Sequence, residues 1–163
     1  MHLVAVLHNI RSLHNVGSIF RTADGAGIKK LYLTGYTGYP PRAEITKTAL
    51  GAEQFVEWER FGHIGKLIDK FKKEGYLVAA VENKTSRNVK WRVQKIPWKF
   101  SQKKPIAFIV GNEVKGLSEA VLKKSDVVLE IPMRGQKESL NVSVAFGIVA
   151  YELTKQQKTI RYK

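Results

Sequence analysis

Short apolar runs alternate along this chain with segments whose apolar residues recur at helical spacing, and that alternation leaves few folds open. Leu3 to Leu7, Leu31 to Leu33, Phe55 to Trp58, Tyr76 to Val81, Ile106 to Val110 and Val127 to Ile131 are predicted strands. Between them, Val16 to Ala26 is predicted helical, with Ile19, Ala23 and Ala26 on one face and Gly25 and Gly27 ending it. His63 to Lys73 carries the stripe Ile64, Leu67, Ile68 and Phe71, and Ser118 to Lys124 is a short helix between two strands. Strands that alternate with helices imply an α/β domain, a mostly parallel sheet flanked by helices.

The last segment reads two ways. From Leu140 to Ile148 alternate residues are apolar, as in a strand, yet Val142, Ala145, Phe146, Val149 and Leu153 fit a helix. The uninterrupted length through Glu152 favours the helix. Gly35 to Pro41 is a turn region, and no repeat, linker or low-complexity tract interrupts the chain. Its 163 residues therefore fit a single domain, 1–163, with a short basic tail from about residue 155.

Composition narrows the chemistry. Without cysteine, disulfides and thiolate metal sites are impossible, and His2, His8, His14 and His63 lack metal-ligand spacing, so no metal is expected. The opening apolar run is too short for a signal peptide, and nothing approaches the ~20 apolar residues of a membrane span. The expected setting is the cytoplasm, with no membrane partner.

Charge points to the partner. Lys and Arg number 28 against 14 acids, a net charge of +14, which favours a polyanion such as nucleic acid. Lys84, Arg87, Lys90, Arg92, Lys95, Lys99, Lys103 and Lys104 fall in one stretch free of acids, with Trp91, Trp98 and Phe100 interleaved. Such a loop suits unpaired bases as stacking partners, or is a solvated basic loop pinned by its aromatics.

Three segments carry candidate chemistry. In Asn15-Val16-Gly17-Ser18-Ile19-Phe20-Arg21, Asn15 can cap the helix while Arg21 lies nearly two turns on; the pair addresses one region or is merely a cap and a surface arginine. Gly111-Asn112-Glu113-Val114-Lys115-Gly116 follows a buried strand, where ligands of open α/β sheets gather, though a plain turn would look the same. It is neither a P-loop nor a dinucleotide fingerprint. Ile131-Pro132-Met133 leads to Ser139-Leu140-Asn141-Val142-Ser143, whose polar residues either cap the last helix or face a site.

In that order the three segments resemble the signature motifs of the SpoU/TrmH family of the SPOUT superfamily of RNA methyltransferases, and the resemblance spans nearly the whole chain. It implies a Rossmann-like domain with a C-terminal deep trefoil knot, a feature the usual connection rules disfavour. It also implies a homodimer and S-adenosyl-L-methionine as cofactor, with S-adenosylhomocysteine as product. Carried over residue by residue, Arg21, Asn15, Glu113, Ser139 and Asn141 are the implied catalytic group. The implied cofactor-binding residues are Val81, Gly111, Asn112, Gly116, Ile131, Met133, Ser139 and Leu140.

The implied reaction methylates a ribose 2′-hydroxyl of structured RNA. Because a guanidinium is almost never deprotonated, Arg21 is expected to hold RNA and stabilise alkoxide charge, with an RNA phosphate taking the proton; Glu113 as general base is the rival. The sequence begins at its first strand, without the RNA-binding extension of many ribosomal-RNA members, so tRNA is the expected substrate. The third motif looks more like the tRNA-guanosine and rRNA branches. An rRNA methylase, a non-catalytic RNA-binding module and a small-molecule α/β enzyme are the alternatives.

Overall fold

The computed structural model describes residues 3–83, 93–95 and 104–158. The expected basic loop lies mostly outside them, with Trp91, Trp98 and Phe100, and so do residues 159–163 of the basic tail. Among the described residues, seven strands form one sheet: β1 (Leu3–His8), β2 (Lys30–Thr34), β3 (Glu57–Phe61), β4 (Leu77–Val81), β5 (Val93–Lys95), β6 (Ile106–Val110) and β7 (Val127–Glu130). Their order is β3-β2-β1-β6-β4-β7-β5, and every neighbouring pair is parallel. Five helices flank them: α1 (Leu13–Ala26), α2 (Ala43–Ala49), α3 (Ile64–Lys73), α4 (Glu119–Lys124) and α5 (Val142–Lys158).

Alternate side chains of each central strand enter opposite cores. Leu3, Ala5 and Leu7 of β1 and Phe108 of β6 pack under α1 and α5, against Ile19, Phe20, Phe146 and Val149. Val4 and Val6 join Ala107 and Ile109 under α3 and α4, against Leu67, Phe71, Val121 and Leu122. Strands buried on both faces must be apolar at successive positions, which is why the runs lack polar alternation. The helix after β1 lies on one face and the helix after β6 on the other. The β1/β6 seam is therefore a switch point, where the following loops part and leave a crevice at the carboxyl edge.

Several boundaries differ from the sequence reading. The cap of α1 is Ser12, whose hydroxyl accepts from the Asn15 N–H at 3.3 Å, so the helix begins at Leu13 and Asn15 stands inside its first turn. The third strand is Glu57–Phe61 rather than Phe55 to Trp58; Phe55 is 78% exposed, and pairing of Trp58 with Leu31 sets the register. Helix α2 and strand β5 were not anticipated. The former buries only Ile45 and Ala49 and has no side-chain cap, while the latter is three residues paired to β7 within the presumed loop. The final segment is helical, beginning at Val142. No described helix is long and apolar enough to cross a membrane.

Candidate active site

The loops that leave β1, β4, β6 and β7 converge on the crevice. The loop after β6 folds back on itself: the Gly116 N–H donates to the Asn112 carbonyl at 2.9 Å, and the Asn112 side-chain oxygen accepts from the N–H groups of Val114 and Lys115 at 2.9 and 2.8 Å. Gly116 is required here twice over. Its φ is +67°, and a Cβ would collide with the Glu82 carboxylate that packs beneath it. Glu82, directly after β4, accepts from the Leu117 N–H at 2.9 Å and ties the two loops together.

The segment after β7 is held by Asn83. Its amide nitrogen donates to the Ile131 carbonyl at 3.0 Å and its oxygen accepts from the Ile131 N–H at 3.2 Å. One side chain thus pairs both backbone groups of Ile131. The cleft between these loops opens to solvent. Val81, Val110, Ile131, Leu140, Val142 and Ala145 form apolar wall, and Glu82, Asn83, Asn112, Glu113 and Ser139 supply polar groups.

Beside the cleft the three sequence segments meet. Glu113 accepts from the backbone N–H groups of Arg11 and Ser12 at 2.9 and 3.0 Å and from the Asn15 amide at 3.0 Å. Partial burial works against its charge, but these hydrogen bonds outweigh that cost and hold the carboxyl below its ordinary pKa. Asn15 turns its amide oxygen to Asn141, whose nitrogen donates at 3.2 Å. Asn141 also caps α5, its oxygen accepting from the Ser143 N–H at 2.8 Å. The cap and the site are the same residue. Because Ser12 takes the capping of α1, the Asn15 amide is available to bridge segments nearly a hundred residues apart or more.

Of the residues singled out from sequence, Val81, Gly111, Asn112, Glu113, Gly116, Ile131, Ser139 and Leu140 line the cleft. Asn15 and Asn141 join it through Glu113. Met133 is half-buried and Arg21 is exposed on α1; neither is among the lining residues. Sequence reasoning passed over Glu82 and Asn83. Their signal was position, a carboxylate and an amide directly after a buried strand at the sheet's carboxyl edge. No group of three potential metal-ligating side chains occurs among the described residues.

The SpoU rRNA methylase family model matches residues 2–151. The chain is 32% identical over 158 residues to the tRNA (guanosine(18)-2′-O)-methyltransferase of Aquifex aeolicus, covering 96% of this chain and 70% of that one. The AdoMet-bound rRNA methyltransferase of Sinorhizobium meliloti superposes with a TM-score of 0.84 at 25% identity, over 94% of this chain and 56% of that one. A structure concerned with 2-OH methylation of C/U34 on tRNA superposes with a TM-score of 0.81 at 25% identity, covering 97% of both chains. The chain spans about 60% of the length of its curated staphylococcal relatives. With the family model matching residues 2–151 and a relative 32% identical over 70% of its length, the chain belongs to the SpoU/TrmH family of RNA methylases.

Proposed function

We propose that this protein transfers a methyl group from S-adenosylmethionine to a ribose 2′-hydroxyl of structured RNA, with tRNA as the substrate class. The observation that carries the reading is the chain Glu113–Asn15–Asn141, which gathers all three motif segments at the mouth of one cleft. The cleft suits the cofactor in chemistry: its apolar wall fits a purine, and its polar groups fit hydroxyl, amino and carboxylate ends. Val81, Gly111, Asn112, Gly116, Ile131, Ser139 and Leu140 would hold it, with Met133 on the same segment. When bound, it supplies an electrophilic methyl group on a sulfonium.

The remaining work falls to the protein. Glu113 serves as a positioning residue: a carboxylate held below its ordinary pKa is a weak base, and its lone pairs face Arg11, Ser12 and Asn15. Arg21, always charged, holds RNA and stabilises the alkoxide as it forms, while an RNA phosphate takes the proton. Arg21→Lys is expected to lower kcat at least about tenfold, because a compact ammonium lacks the planar two-pronged donor. S-adenosylhomocysteine affinity should stay within about twofold, since Arg21 lies off the cleft. Near-normal turnover would sink the arginine-specific role.

Two further features belong to this reading. The C-terminal trefoil knot is part of the proposal, and the double hydrogen bond of Asn83 to the Ile131 backbone, which fixes the start of the segment between β7 and α5, supports it. Val144, Ile148 and Tyr151 form an exposed apolar stripe along α5, suited to a second copy of the chain. The net charge of +14 supports an RNA partner, and the tRNA relatives support that class within a cytoplasmic setting. Incubation with methyl-labelled cofactor and unmodified tRNA or rRNA, followed by mapping of alkali-resistant linkages, tests the function. Label at a tRNA ribose is expected; label confined to bases, or to rRNA, overturns the reaction or the substrate class respectively.

A further inference from the structure

Tyr36 follows β2 in the turn region and is 62% exposed, yet it is held at both ends. Its N–H donates to the Asn9 side-chain oxygen at 3.1 Å, and its hydroxyl accepts from the Asn112 amide at 2.8 Å. Asn112 lines the cleft, so the ring stands at the cleft's rim. The brace continues inward. Asn9, at φ +58°, donates to His8 Nε2 at 3.1 Å, which leaves the proton of His8 on Nδ1, 2.9 Å from the Thr34 hydroxyl. Burial keeps that imidazole neutral by lowering its pKa.

A ring used for packing would be covered. Tyr32 is 7% exposed and meets Phe71 edge-on, and Tyr39 packs against Trp58. Tyr36 instead bears the cost of apolar area in water while its rotamer is already fixed, which is how a preorganised contact surface is built. Its surroundings select the occupant. Val114, on the same loop as Asn112, is 71% exposed, and the cations Arg11 and Lys115 are exposed on backbone fixed by Glu113 and Asn112. An exposed aromatic face with exposed cations on the loops that brace it suits a nucleobase flanked by phosphates.

We propose that Tyr36 is a stacking platform for an unpaired base next to the methylated ribose, so that the substrate site is a single-stranded loop; this rests on the RNA-methylation reading above. The probe is an oligoribonucleotide of about nine nucleotides carrying 2-aminopurine, titrated into full-length protein saturated with S-adenosylhomocysteine. Wild type and Tyr36→Phe are expected to bind and quench it alike, while Tyr36→Leu should bind about 5- to 100-fold more weakly and lose the quench. Cofactor-product affinity should stay within about twofold in both variants. The proposal is overturned if Tyr36→Leu binds and quenches like wild type, if Tyr36→Phe fails as badly, or if cofactor-product affinity falls in parallel. Wild type that binds only duplex RNA, equally in all variants, removes the platform and leaves RNA methylation standing. Wild type that binds no RNA removes both.

Discussion

Glu113 concentrates the site's electrostatics in one carboxylate, and its three hydrogen bonds make a pH prediction. Its folded pKa lies below the ordinary 4.5, so its stabilising contribution is complete above that value and is lost as pH falls through the lowered one. Glu113→Gln should therefore cost about 1 kcal/mol near neutral pH, after allowing for solvent screening, and much less near about pH 3. Paired thermal or urea melts at the two pH values check this; an equal gap at both would mean that the charge contributes nothing. His8 acts in a higher window. Burial lowers its pKa below 6.5, so its contribution is present above that value and declines as pH falls below it. At this scale the sequence showed which residues matter and not which partners they take. Asn15 reads as a cap, and only the shift of that duty to Ser12 leaves its amide for Glu113 and Asn141.

The helices meet through small residues. A Cβ on Gly17 of α1 would collide with the Ile45 carbonyl and the Thr48 hydroxyl of α2, and the carbonyl is backbone that cannot swing aside. Gly17→Ala should cost about 1–3 kcal/mol. Gly147→Ala on α5 is the contrast, since its Cβ would meet only the Thr22 methyl at 3.5 Å, an ordinary contact, and alanine favours the helix by about 0.5–1 kcal/mol. Thermal melts should place the two variants on opposite sides of wild type. The long amphipathic elements were legible because each buries an unbroken stripe. Helix α2 was not, because seven residues with two buried side chains leave no period to read. Strand β5 was hidden for a related reason: three residues take their conformation from the edge of β7.

For the whole molecule, an exposed stripe on α5 is a liability in a monomer. Val144 is 51% exposed and Tyr151 50%, with Ile148 between them at 36%. Wild type is expected to sediment as a dimer, and Val144→Glu with Ile148→Glu to sediment as a monomer with a folded circular-dichroism spectrum. A monomeric wild type would refute the second-copy assignment. Sequence by itself determined the layered α/β architecture, because a strand buried on both faces must be apolar throughout and a flanking helix must carry one apolar stripe. It also determined the three polar segments at strand and helix ends, together with the cationic character of the chain. Tertiary structure alone decided the strand order, the Asn83 clamp on Ile131, the depressed Glu113 carboxyl and the bracing of Tyr36. Each of these depends on groups far apart in the chain meeting at one edge of the sheet, and local periodicity carries no record of such meetings.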